Sequence, residues 1–394
     1  MSKKLILLII IFLLLGVSFF LFKSQIVSNY FINYKIDKCS QEKNQKCFVD
    51  LVMATFKESG LENSLHLIST IYAKDSSFAE SCHDIGHLLG KETFKLFKEG
   101  TDFKITPEAS FCSYGFYHGF MENLVSSDGD PKKAREFCKY VDSQIAKETP
   151  DAALQCFHGI GHGWVNVHDD KSLWGDDLGI VRKGLVLCDK VSENESELSR
   201  CATGVFNGLS VFYSTGEYDV KVNKEDPLWV CRLQDKKFQD PCFISMNLVL
   251  MSLSNGDLKL ASKFVEPIKD DEVAAHTMLN LAITLGVENI NSTDHVQSIN
   301  ICRSLQKRLI NSCIQGYAFA FLEHGEPKVE YIKAIEFCKN GHLNKDESES
   351  CLSYIYSYLP QWYKEEKALS ICEGEGNTKD FCKLKVEEFK NNQN

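Results

Sequence analysis

The chain never brings two of its cysteines closer than eight residues, and no C-x-x-C occurs anywhere in it. That absence removes zinc ribbons, thioredoxin-like redox motifs and c-type haem attachment together. No basic stripe with interleaved aromatics stands out against a net charge of −10, which argues against nucleic acid as a partner. No sustained period-two alternation is found, and prolines number only eight in 394 residues, so long amphipathic helices are expected instead of sheets. No nucleotide cofactor is expected.

One run lacks charge altogether. Residues 5–22 are apolar almost throughout, preceded by Lys3 and Lys4 and ended by Lys23. Eighteen residues at helical rise span about 27 Å, close to a bilayer's hydrocarbon core. A cleavable signal would have a shorter apolar core and an A-x-A-like site. We therefore expect an uncleaved signal anchor over residues 1–24, a single-pass, N-in membrane segment. Residues 25–394 would form an extracytoplasmic body, periplasmic or extracellular, with its histidine-rich part at 76–170. A cleaved signal peptide is the alternative, and its export route is the same.

The sixteen cysteines are an even number in a chain expected to be exported, which points to disulfides. They fall into sequential pairs: Cys39 with Cys47, Cys82 with Cys112, Cys138 with Cys156, Cys188 with Cys201, Cys231 with Cys242, Cys302 with Cys313, Cys338 with Cys351, and Cys372 with Cys382. In most pairs the first cysteine is expected to end one amphipathic stretch and the second to open the next. Each pair then staples a helical hairpin, worth about 3 kcal/mol in the chain-entropy model. The Cys82–Cys112 pairing is the hardest to draw, because its loop holds a whole helix expected over residues 79–97. Second cysteines recur at 112, 156, 201 and 242, a 41–45-residue period in the range of two-helix repeats. A hairpin without cysteines fills the longer gap, over residues 257–286. The expected fold is all-α: a disulfide-stapled array of about eight hairpins, extended or curved, that resembles tetratricopeptide and Sel1-like repeats in repeat size.

The second helix of each hairpin opens alike: Cys112-Ser-Tyr-Gly115-Phe-Tyr-His118-Gly119, then Cys156-Phe-His158-Gly159-Ile-Gly-His162-Gly163, then Cys201-Ala-Thr-Gly204-Val-Phe-Asn207-Gly208. Glycine inside a helix costs up to about 1 kcal/mol relative to alanine. Two glycines four apart line one face and let a neighbouring helix approach closely, so they read as packing ridges.

Six of eleven histidines lie within 86 residues. His83 and His87, His118 and Glu122, and His158 and His162 are each four apart, hence on one helical face. If the three helices are neighbours, these six side chains can meet in one pocket, with Asp84, Asp169 and Glu323 as further donors. Imidazoles with a carboxylate suit zinc, copper or iron. Three ligands and an open position would make a catalytic site, with Glu122 as ligand or general base. The register is a difficulty, because His87 stands one residue closer to its cysteine than His118 and His162 do to theirs. His66, His276, His295 and His342 read as structural or surface residues, and His324 as a helix end.

His83-Asp84-Ile85-Gly86-His87 resembles the metal-binding step of HD-domain phosphohydrolases. That resemblance implies a compact helical bundle, an upstream histidine (here His66) and a later aspartate. Three functions therefore stay open at this stage. The first is a metal-dependent hydrolase or oxidase. The second is a non-catalytic scaffold that binds a protein or glycan through a concave face carrying Tyr114, Phe116, Tyr117 and Trp164. The third is an HD-like phosphohydrolase.

Overall fold

The structure is a computed structural model that describes residues 32–42, 44–166 and 170–393. The apolar run 5–22, His168 and Asp169 lie outside the described residues. Among the described residues there is no strand, and no helix is long and apolar enough to cross a membrane.

The chain divides into two compact units at Glu58–Ser59. In the first, the helical residues 32–42 (α1) and the start of α2 (Gln45–Lys74) are joined by Cys39–Cys47. Helix α2 breaks at Gly60, whose φ of 81° no ordinary helical residue adopts.

The second unit runs through α3 (Ala79–Lys98), α4 (Gly115–Asp128), α5 (Pro131–Ile145), α6 (Ala152–Trp164), α7 (Asp177–Val191) and α8 (Glu195–Thr215). It continues through α9 (Trp229–Arg232), α10 (Lys236–Ser245), α11 (Asn247–Leu253), α12 (Leu258–Val265), α13 (Asp271–Glu288) and α14 (Val296–Arg303). It ends with α15 (Ile310–His324), α16 (Glu330–Cys338), α17 (Lys345–Trp362), α18 (Glu365–Glu373) and α19 (Lys379–Gln393). Local chemistry sets many of the boundaries. Asp130 caps α5 by accepting from Lys132 N, with Pro131 in the first turn. Asn344 and Glu347 form a reciprocal capping box on α17. Helix α5 buries Ala134, Phe137, Cys138, Val141 and Ile145, a stripe at helical spacing.

All eight sequential disulfides are present, with Cα–Cα distances from 5.2 to 5.6 Å, and no cysteine is free. In most pairs the first cysteine lies in the last turn of its helix, as expected, while the second often sits further inside the next. Cys338 does end α16, but α5 continues seven residues past Cys138, and Cys351 sits six residues into α17. The cysteine-free hairpin is α12 with α13.

The glycines act as packing ridges. A Cβ on Gly119 would lie 1.9 Å from the His87 carbonyl oxygen, and one on Gly204 would lie 2.0 Å from that of His158. Helices α3, α4, α6 and α8 therefore pack backbone to backbone, each against the next. Gly119→Ala and Gly204→Ala are each expected to cost at least 1–3 kcal/mol, the range for overpacking a close contact. Thermal unfolding of the single variants checks this, and unchanged Tm values would contradict it.

The row of helices turns back on itself. Ser113, just before α4, lies 3.0 Å from the ring of His324 at the end of α15. Tyr114 meets Trp362, the last residue of α17, edge to face. Lys364 pairs with Glu148 at 2.8 Å, and Tyr72 donates to the His324 carbonyl. The helices facing inward thereby line a half-open cavity.

Candidate functional site

The cavity has a volume of about 810 Å³ and is lined from α3, α4, α6, α8, α10, α11, α13 and α15. His83, His87, His118, Glu122, His158 and His162 all line it, together with Asp84, Glu323 and His324. One ligand atom from each of His83, His87 and His118 lies within 4.8 Å of the other two, so this triad can hold a metal ion.

The two halves of the cluster come into one register because the offset in cysteine spacing does not count helical residues. Cys112, Ser113 and Tyr114 all have positive φ (61°, 49° and 61°) and precede α4. Left-handed backbone costs roughly 1–2 kcal/mol per non-glycine residue. The Cys82–Cys112 bridge ties this turn to α3. It places the Cys112 carbonyl 3.0 Å from His83 Nδ1, and Gly115 and Gly119 against the backbone of His83 and His87.

The hydrogen-bond partners fix where the lone pairs are. His83 Nδ1 donates to the Cys112 carbonyl, so Nε2 carries the lone pair, 3.2 Å from His87 Nε2. Thr203 spends its hydroxyl hydrogen on the Arg200 carbonyl, so His158 Nδ1 donates to Thr203 Oγ1 at 2.9 Å. His158 Nε2 is then the acceptor. His162 Nε2 donates to Asn207 Oδ1 at 2.6 Å, which leaves the lone pair on Nδ1. His118 stands among the other four, with ring centroids 4.9–5.2 Å away. It is 7% exposed, and among the described residues neither of its ring nitrogens has a hydrogen-bond partner.

Burial, with the neighbouring His87 second, lowers His83 to about 4. Burial and then the surrounding histidines push His118 and His158 well below the ordinary imidazole range. Burial also lowers His162, against the pull of Glu122. Burial raises the Glu122 carboxyl, but the His87 contact and the His162 charge outweigh that and hold it below its usual value. These histidines are neutral, as metal ligands must be at neutral pH. Glu122 is a carboxylate.

Several cavity residues escape the sequence reading. His324, read as a helix end, reaches the cavity and hydrogen-bonds Ser113. Thr203 and Asn207 occupy the positions of His158 and His162 in the next copy of the glycine motif, and they hold those two rings. That pairing of equivalent positions on adjacent helices was the available signal. Arg200 joins the wall, 3.5 Å from Asp151. His66 is exposed on α2 and does not line the cavity, so the upstream histidine that the HD resemblance needs is missing. Tyr114, Phe116, Tyr117 and Trp164 are core residues, exposed by 4% or less, and form no outward binding face. His295 bonds Tyr317 and His276 pairs with Asp240, both structural contacts as read.

Burial holds the Glu323 carboxyl up at about 7, against the pull of Arg200 and with the push of Asp151. Its folded value lies above its unfolded one, so folding stability falls as pH rises from about 4.5 to about 7 and stays flat above. Glu323→Gln removes that slope. The variant is expected to match wild type near pH 4 and to exceed it at pH 8 by about 1–2 kcal/mol, allowing for a side chain 26% exposed. Equal melting temperatures at pH 8 would contradict this. No family model, curated protein or solved structure matches this chain.

Proposed function

We propose that the protein is an extracytoplasmic, membrane-anchored helical-repeat solenoid built around a transition-metal centre, and that it acts as a metal-dependent hydrolase. The observation that carries the metal reading is the state of three rings. His83 presents a lone pair to His87, and His118 is buried beside them with two unpartnered nitrogens. A buried polar atom left unpaired costs about 1–3 kcal/mol, and an ion bound by these rings removes that cost. In a tetrahedral site with bonds of 2.0–2.1 Å, two ligand atoms stand about 3.3 Å apart, close to the 3.2 Å between His83 and His87. Binding would draw the third ring inward.

Three imidazoles leave a fourth position open to the cavity. That is the donor set under which a zinc-bound water becomes a nucleophile near neutral pH. The donors suit zinc, copper and iron alike, and the hydrolase reading rests on the three-imidazole set of a zinc site that activates water. The chain's own residues supply the rest. The Cys112 carbonyl orients His83, and Arg200 offers a cation for an anionic substrate group. The zinc-loaded full chain, assayed on a panel of chromogenic esters and phosphoesters, is expected to turn over at least one of them. His83→Ala should lose that activity. Equal rates in the two proteins would remove the enzyme reading.

Export is supported by eight disulfides, which persist in oxidising compartments, and by the charge-free run 5–22. Protease added to cells stripped of any outer membrane and wall is expected to digest the body and leave only a short N-terminal fragment. A protected body would contradict the topology.

A further inference from the structure

The metal reading leaves half of the cluster unused. One ion on His83, His87 and His118 takes one nitrogen of His118 and leaves the other buried without a partner. It also leaves His158 Nε2 and His162 Nδ1 with lone pairs, since their other nitrogens donate to Thr203 and Asn207. His162 Nδ1 faces Glu122 Oε1 at 3.5 Å. A lone pair and a carboxylate oxygen repel at that distance unless a cation lies between them. The separation is too long for a good hydrogen bond and near the 3.3 Å edge of a tetrahedral metal site. On its other side, Glu122 Oε2 lies 3.6 Å from His87 Nδ1. One carboxylate therefore faces a histidine of each half with a different oxygen.

We propose a second divalent-metal position in this cavity, held by His162 Nδ1 and Glu122 Oε1 with His158 as third donor, while Glu122 Oε2 faces His87 Nδ1 as an outer partner of the first ion's ligand. The proposal rests on the first metal position and adds to it. Thr203 and Asn207 are its positioning residues: they fix which nitrogen of each ring is free, as outer partners of metal-bound histidines do. Arg200 on the same wall, beside Asp151, points to an anionic ester as the substrate class.

The test is a zinc titration of the full chain in detergent against a chromophoric chelator, after metal stripping. Two equivalents are expected for wild type, and one for His158→Gln/His162→Gln, with helical circular dichroism retained. Asn207→Leu, a change outside the ligands, is expected to weaken the second equivalent at least tenfold and to leave the first unchanged. One equivalent in wild type that is lost in His83→Ala would overturn the second position and leave the first standing. No zinc bound in wild type would overturn both. Two equivalents persisting in the double variant would overturn the ligand assignment. Should the double variant not fold, Asn207→Leu decides the assignment, and a second equivalent of unchanged affinity there would overturn it.

Discussion

Replacing His118 with alanine is expected to weaken binding of the first metal ion by at least a hundredfold while the helices remain intact. His118 is the hub of the cluster, within 5.2 Å (ring centroid to centroid) of each of the other four histidines. It is also the one whose ring nitrogens have no other partner. Losing one of three imidazole ligands leaves two, too few to compete with water and chelators. The apo protein should suffer less than for an ordinary core deletion. Truncation leaves a cavity, but it also removes two buried polar atoms that nothing satisfies. Competition titration gives the affinity, and far-ultraviolet circular dichroism gives the fold. An unchanged affinity in His118→Ala would mean that the buried ring serves only packing.

Removing the Cys82–Cys112 bridge is expected to act twice. A loop of 30 residues is worth about 3–4 kcal/mol in the chain-entropy model, so Cys82→Ser/Cys112→Ser should unfold at a markedly lower temperature. The same bridge holds the left-handed turn Cys112–Tyr114, whose carbonyl orients His83. Metal affinity should therefore fall about 10–100-fold, the usual effect of losing an outer partner of a ligand. Cys372→Ser/Cys382→Ser provides the contrast. Its bridge joins α18 to α19, and neither cysteine lines the cavity. That variant should lose stability and keep metal affinity. Equal losses of affinity in the two variants would show that the bridge acts through global stability alone.

The architecture was legible because its signals are local. Sequential cysteines flanking amphipathic stretches admit few pairings once helical hairpins are assumed, and all eight bridges form as read. Glycines four apart on one face announced close helix contacts, which Gly119 and Gly204 make. The three His/Glu pairs at i, i+4 marked one wall of the cavity. Of the opposite wall only Glu323 was legible. His324 reaches Ser113 across 211 residues of chain because the row of helices turns back on itself, and no local pattern encodes that closure. Counting register from cysteines also misled, since Cys112 lies in a left-handed turn ahead of its helix and not within it. The aromatics Tyr114, Phe116, Tyr117 and Trp164 carry no mark in the sequence that separates a core face from a binding face. Packing buries them.

Direct binding of a metal ion by the imidazoles of His83, His87 and His118 has a spectroscopic signature. X-ray absorption spectroscopy on the full chain, purified from an oxidising compartment without added metal, measures that shell. A co-purifying transition metal is expected, with at least three imidazole nitrogens in its first shell at about 2.0–2.1 Å. Protein free of metal, or metal in a shell of oxygens without the imidazole scattering pattern, would contradict it.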